Sequence, residues 1–272
     1  MRTNLLFTVA ALWLAASPSQ AEVWSPWVDL ANFKPDAAPL QQARANRGHS
    51  AKDYKVQRID EGTGSAVNVD EYVVRIDTLP SGMNKKQFFW HVRKNLNSFF
   101  DQSVASFDGY NGDDTGDWGS QSTALLGTIM VFQISTLGGV GNDEAAVVVS
   151  RTSEFSWVFS PVTDEALVLG FGDHPVAGNR EFGLREVGGH MEFYTRAFDR
   201  VYPSLVSAAE ETAFEGADKL WKSLQTNLES YVNSNGGSAT KQAPNVPGGT
   251  VPANKPQYAV VCADVAVSLS CN

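Results

Sequence analysis

In this chain of 272 residues, Asp173-His174 is the pair whose types could do acid–base chemistry, because a carboxylate can orient an imidazole for proton transfer. Pro175 follows at once and Gly178 closes the run. Adjacent side chains in an extended turn diverge, so the spacing favours a turn in which His174 caps backbone groups. A hydrolase or isomerase built on this pair requires His174, Asp173 and either Glu181 or Asp199 to meet in one cleft. Arg196, Asp199 and Arg200 form a second charged group. They read as an ion-pair cluster with Glu181 or Glu186 as partners, or as two arginines holding an anionic headgroup. A third group, Asp108, Asn111, Asp113, Asp114 and Asp117, crowds oxygen ligands into residues 108–120, a glycine-rich stretch read as a loop. Such density suits Ca²⁺, although the EF-hand glycine at the sixth position and glutamate at the twelfth are missing; a solvated loop, or a binding rim carrying Tyr110 and Trp118, is the competing reading. Of the other histidines, His91 reads as a surface residue on a helix and His190 as part of a hairpin turn. The four histidines show no H-x-H or H-E-x-x-H spacing, and the chain has no G-x-S-x-G, no phosphate loop and no suitable Cys nucleophile. The common enzyme classes are thereby disfavoured. No cofactor is required, and calcium is the one candidate.

Positioning these groups falls to a run of strands between two helices. Residues 69–79 alternate Tyr72, Val74 and Ile76 against Val73 and Arg75, which predicts a strand. Asn84 is placed to cap a helix to about residue 102, with Phe88, Phe89, Val92, Leu96, Phe99 and Phe100 on one face. Strands are predicted at 124–134, 145–151, 154–160, 166–170, 180–186 and 191–198, with Gly188-Gly189 at a hairpin turn. A last helix, 204–233, keeps Leu205, Ala209, Ala213, Ala217, Leu220, Leu224, Leu228 and Tyr231 on one face. Gly236-Gly237 ends it. Its first half carries small residues and its second large ones, so the first half either approaches the sheet closely or leaves a cavity.

The element order is that of the helix-grip domains. The run Gly172-Asp173-His174-Pro175-Val176-Ala177-Gly178-Asn179-Arg180-Glu181-Phe182, then Met191-Glu192-Phe193-Tyr194, then Arg196-Ala197-Phe198-Asp199-Arg200 resembles the G-H-P-x-x-G-E-x-x-F … F-x-I-x-A-F-S-R pattern of a START-like, SRPBCC-like family of unknown function. The resemblance covers about 30 residues. It departs where Asp173 is inserted, where Asn179 and Arg180 replace acidic residues, and where Asp199 replaces a serine. What it implies is a fold and an apolar cavity, with no activity attached. The expected class is α+β: a curved antiparallel sheet, one helix N-terminal to most strands, and a long C-terminal helix packed on the sheet. The expected cavity walls are Trp157, Phe159, Phe171, Phe193, Ala213 and Leu220, with Arg196 at one mouth.

The ends set the compartment. Arg2, the apolar run 5–16 and Ser19-Gln20-Ala21 fit a secretory leader over residues 1–21, too short to span a membrane. Its removal changes the net charge from −9 to −10. That acidity argues against nucleic acid or an anionic membrane surface as partner. The expected product is an exported protein, periplasmic or extracellular. Residues 22–64, with Pro26, Pro35 and Pro39, read as an irregular N-terminal arm; 65–235 is the core domain; 236–272 is a Pro/Gly-rich linker and tail. Cys262 and Cys271 read as a local disulfide in that tail, worth about 2–3 kcal/mol at most. The expected partner is a small apolar or amphipathic molecule. The rival is an interaction protein without a pocket, for which Trp24, Trp27 and Tyr110 would form an exposed aromatic patch.

Overall fold

The computed structural model describes residues 20–63, 66–134, 143–163, 172–202, 210–246, 249–250 and 260–261. The leader through residue 19, the strand expected at 166–170, Phe171, and Cys262 with Cys271 lie outside them, as does the side chain of Trp24. In chain order come α1 (Gln20–Asn32), α2 (Ala37–Asn46), β1 (Lys55–Val56), β2 (Ala66–Thr78), α3 (Lys85–Lys94), β3 (Ala105–Gly109) and α4 (Gly112–Gly119). There follow β4 (Ile129–Ile134), β5 (Asp143–Thr152), β6 (Ser156–Thr163), β7 (Val176–Val187), β8 (His190–Val201) and α5 (Glu210–Ser234). Four short strands close the series: β9 (Ser238–Lys241), β10 (Asn245–Val246), β11 (Gly249–Thr250) and β12 (Val260–Val261).

One antiparallel sheet runs β11-β10-β2-β8-β7-β6-β5-β4-β3. β1 pairs with the far end of β6, and β9, β10 and β12 lie in turn along the side of β2 that does not meet β8. Register assigns the faces, since directly opposed residues share one. Tyr72, Val74 and Ile76 oppose Thr195, Phe193 and Met191, and all six point to the inner face, which carries α3 and α5. Val67 and Val69 point the other way, where Trp27, Leu30 and Ala31 of α1 pack against them and Phe198. Farther along that outer face, Leu40 of α2 packs on Ile129, Ala146, Val148 and Val162. The sheet is therefore covered on both sides.

α5 holds the inner layer through Leu220, Trp221, Leu224, Leu228 and Val232, each buried. Burial of each is worth about 1.5–3 kcal/mol as an upper estimate. Tyr72 pins the helix to β2 by donating to Asp218 Oδ1 at 2.9 Å. α3 starts at the expected Asn84, whose side chain accepts from Gln87 N at 3.0 Å while Gln87 Oε1 accepts from Asn84 N at 2.9 Å. It stops earlier than residue 102. Asn95 turns its amide back to the His91 carbonyl at 2.8 Å, and a 3₁₀ turn, Leu96–Phe99, carries the remaining apolar residues into the core.

Three expectations are corrected. The arm 22–64 contains α1 and α2: Pro39 sits in the first turn of α2, where no backbone N–H is needed, and Trp27, Leu30 and Ala31 anchor α1 despite Pro26. The stretch 108–120 is the end of β3 followed by α4. The start of the presumed linker forms β9, because residues 238–241 complete hydrogen bonding along β2.

Candidate functional site

The small-residue half of α5 leaves a cavity of about 140 Å³ between helix and sheet. Ala213, Gly216 and Ala217 form its helical wall, and Phe159, Phe182 and Trp221 close its inner end. The lining is largely apolar. The polar side chains that line it are His174, Arg180 and Asp199; the Asn179 amide is turned to the outer face, donating to Leu30 O and Phe33 O at 2.8 Å each.

β7 and β8 supply the charged groups. Gly178 opposes Asp199 and Arg180 opposes Ala197, so Asp199 and Arg180 face inward with Asn68 and Asp70 of β2. Arg180 Nη2 lies 2.8 Å from Asp70 Oδ2 and 4.0 Å from Asp199 Oδ2. Its Nη1 donates to Thr195 Oγ1 at 3.3 Å, and the guanidinium carbon stands 4.2 Å from the centre of the Trp221 ring. Asn68 Nδ2 donates to both carboxylates, at 2.8 Å to Asp70 and 3.2 Å to Asp199. Burial pushes the Asp199 carboxyl up to about 7; Arg180 and Asn68 oppose that, and the Asp70 charge adds to it. Burial wins because the guanidinium serves Asp70 at shorter range. Asp70 is 2% exposed, and among the described residues its Oδ1 has no hydrogen-bond partner, nor has the buried indole nitrogen of Trp221.

Gln57 positions the segment that carries His174. Wholly buried beyond the end of β1, it accepts from His174 N at 2.8 Å and donates to His174 O at 2.8 Å, while its backbone N–H donates to Pro161 O. It wedges β7 away from β6. Gly178 completes that divergence with φ +126°, donating to Gln57 O; a Cβ there would lie 2.3 Å from Phe198 O. His174 Nδ1 lies 3.2 Å from both the N–H and the carbonyl oxygen of Val176, and burial lowers the imidazole to about 4.

The acid–base constellation does not assemble. Asp173 is exposed and accepts from Thr163 Oγ1, and Glu181 points to the outer face, where Arg196 Nε donates to it at 2.9 Å. Neither hydrogen-bonds His174 among the described residues. Arg196 thus pairs with the predicted Glu181 but sits across the sheet from the cavity, a correction that the alternation of β8 forces. Of the other expected wall residues, Phe159, Ala213 and Leu220 line the cavity. Trp157 and Phe193 pack in the surrounding core, Trp157 stacking on Phe182 at 5.0 Å between centroids.

The acidic stretch is likewise spent on structure. Arg44 of α2 forks onto Asp114, with Nη2 3.0 Å from Oδ2, and both side chains have 0% exposure. Arg47 and His49 take Asp117 at 3.0 Å each, and Asn111 caps α4. His49 Nδ1 also lies 3.4 Å from Asp113 Oδ2, whereas Asp108 stands apart and accepts from Asn97 Nδ2 at 3.5 Å. Among the described residues no group of three or more His, Cys, Asp or Glu is placed to hold a metal ion. The exposed aromatic patch also fails in part: Trp27 is 3% exposed and donates to the Asp70 carbonyl, and Lys52 covers the half-buried Tyr110 ring.

Sequence reasoning missed Asn68, Asp70, Arg180 and Gln57. For the first two the signal was available, since the inward period of β2 that places Tyr72, Val74 and Ile76 also places Asn68 and Asp70. For Gln57 none was.

No described helix is long and apolar enough to cross a membrane. No protein-family model and no curated protein matches the chain. Among solved structures, the crystal structure of Ara h 8.0201 aligns with a TM-score of 0.37 at 11% identity, over 62% of this chain and 99% of that one. Protein Ms6760 from Mycobacterium smegmatis aligns with a TM-score of 0.35 at 11% identity, over 67% of this chain and 98% of that one. Neither likeness bears on ligand or activity. What the sheet order and the placement of α5 establish is an α+β, helix-grip-like fold whose C-terminal helix lies over a curved antiparallel sheet.

Proposed function

We propose that the chain binds a small, largely apolar molecule in the cavity between α5 and the sheet. The observation that carries this is the apolar recess whose lining also includes the buried Asp199 carboxyl and the half-buried Arg180 guanidinium and His174 imidazole. Apolar walls supply affinity, and a few convergent polar groups supply orientation. Size limits the ligand. An engineered cavity of about 150 Å³ takes up benzene, so the space at hand suits one ring or a short branched chain better than an extended acyl chain. A leader over residues 1–21 would deliver this binder to an exported compartment, which N-terminal sequencing of the mature chain tests.

The test of binding is toluene uptake followed by protein NMR, with Ala217→Phe as the comparison. The added ring fills the helical wall, so wild type should show saturable shifts at Phe159, Phe182 and Trp221 and the variant none. Saturable shifts of the same size in a folded Ala217→Phe protein would place any binding elsewhere.

A further inference from the structure

The polar end of the cavity carries a surplus of negative charge. Two carboxylates, Asp70 and Asp199, face one guanidinium. Arg180 is already committed: Asp70 holds it at 2.8 Å, Thr195 takes Nη1, and Trp221 covers its face. An incoming anion would have to displace one of these and would meet Asp199. A neutral apolar ligand would fill the recess but wall Asp199 off from water with its nearest described cation 4.0 Å away, so the carboxyl would have to keep its proton there. A cation removes both problems. Asp70 stands behind this lining, 2% exposed and paired with Arg180 at 2.8 Å, and its Oδ1 has no partner among the described residues, so Arg180 is held to Asp70 and not to Asp199. The net charge of −9 also raises the local concentration of cations over anions.

We infer that the cavity selects a protonated primary amine on a one-ring apolar body, its ammonium set against Asp199 and its ring between Phe159, Ala217 and Trp221. This rests on the cavity being a binding site, and it adds the charge of the occupant. The ammonium has three donors on a compact centre, which suits one carboxylate in so small a space better than a planar guanidinium would. Asp70 holds Arg180 back and thereby leaves Asp199 as the carboxyl that meets the ligand.

Three probes of matched shape decide it: toluene, benzylamine and benzoate, titrated into the full chain at pH 8 by calorimetry and protein NMR. At that pH Asp199, raised by burial to about 7, is mostly ionised. Benzylamine should bind at least tenfold tighter than toluene, and benzoate weaker than either. In Asp199→Asn, which keeps the shape of the site, the preference for benzylamine should shrink to within about threefold of toluene. Toluene binding as tightly as benzylamine, or benzoate binding tighter, would overturn the amine inference and leave the cavity reading standing. Failure of all three probes to bind would overturn the cavity reading itself. The wild-type panel needs no variant, so a misfolded Asp199→Asn protein does not rescue the inference.

Discussion

Asp199 makes stability fall as pH rises, the reverse of the usual carboxylate behaviour. A carboxyl held near 7 in the native chain, against an ordinary value of 3.8, keeps its proton on folding where the unfolded chain has lost it. Between these two values the native state binds more protons, so stability declines with increasing pH. Each pH unit in that window is worth about 1.4 kcal/mol, so the interval from pH 5 to pH 7 removes about 3 kcal/mol. Above pH 7 the loss is complete. Asp199→Asn abolishes the titration and keeps a group that can face Asn68. The assay is urea unfolding of both proteins at pH 5, 6, 7 and 8. His174, lowered by burial to about 4, destabilises in the opposite sense, as pH falls below its ordinary value of 6.5. The diagnostic is therefore the difference between the two proteins, which carries His174 equally. The advantage of wild type over Asp199→Asn should shrink by about 3 kcal/mol from pH 5 to pH 7 and then level off. Parallel stability curves would refute the placement of Asp199 in a buried, under-compensated site.

Three further outcomes follow from the geometry. Arg44→Met strands the fully buried Asp114 carboxylate and should cost about 3–5 kcal/mol in urea unfolding, with much of that regained in Arg44→Met/Asp114→Leu; a cost near zero would deny that α2 is locked to α4. Arg196→Gln breaks the outer-face pair with Glu181, whose side chains are 13% and 8% exposed, and should lower stability by about 1–3 kcal/mol while toluene affinity stays within twofold. Loss of binding in the folded variant would return Arg196 to the cavity mouth. The His174 ring resonances should show no titration between pH 5.5 and 8 by NMR, since the imidazole is lowered to about 4, and a midpoint above 6 would mean that water reaches the ring.

The inner half of the fold was legible, and the outer half was hidden for a physical reason. Tyr72, Val74 and Ile76 alternate, Asn84 caps, and Leu220, Leu224 and Leu228 repeat at helical spacing, so β2, α3 and α5 announce themselves. Ala145–Val149 is apolar without alternation, the pattern of a strand buried on both faces. That run implied a second covering layer, yet α1 and α2 carry prolines, and α2 buries Leu40 and Arg44 as its anchors. An arginine does not register as core in a hydrophobicity pattern. α4 is hidden in the same way: Gly112, Gly116 and Gly119 disfavour a helix locally, and Arg44 and Arg47 hold it through Asp114 and Asp117 from about 70 positions earlier in the chain. For the site, Arg196 and Asp199 read as one cluster because they are close in sequence. Separation by three residues on a strand puts them on opposite faces, and Asp199 gained its partners from β2 and β7 instead.

The placement of β9, β10 and β12 along β2 has a consequence for how copies of the chain treat one another. β2 is 13 residues long, and without those segments most of its outward N–H and C=O groups would form a ready template for a strand from another molecule. Ser238–Lys241 takes up Val74 to Thr78, Asn245 meets Glu71, and Val260-Val261 reaches Val67 and Ala66. A chain cut just after α5 would keep its inner core and the cavity walls, yet it would expose a sticky edge. The segment beyond α5 thus occupies the edge of β2 at which a strand from another copy would otherwise pair.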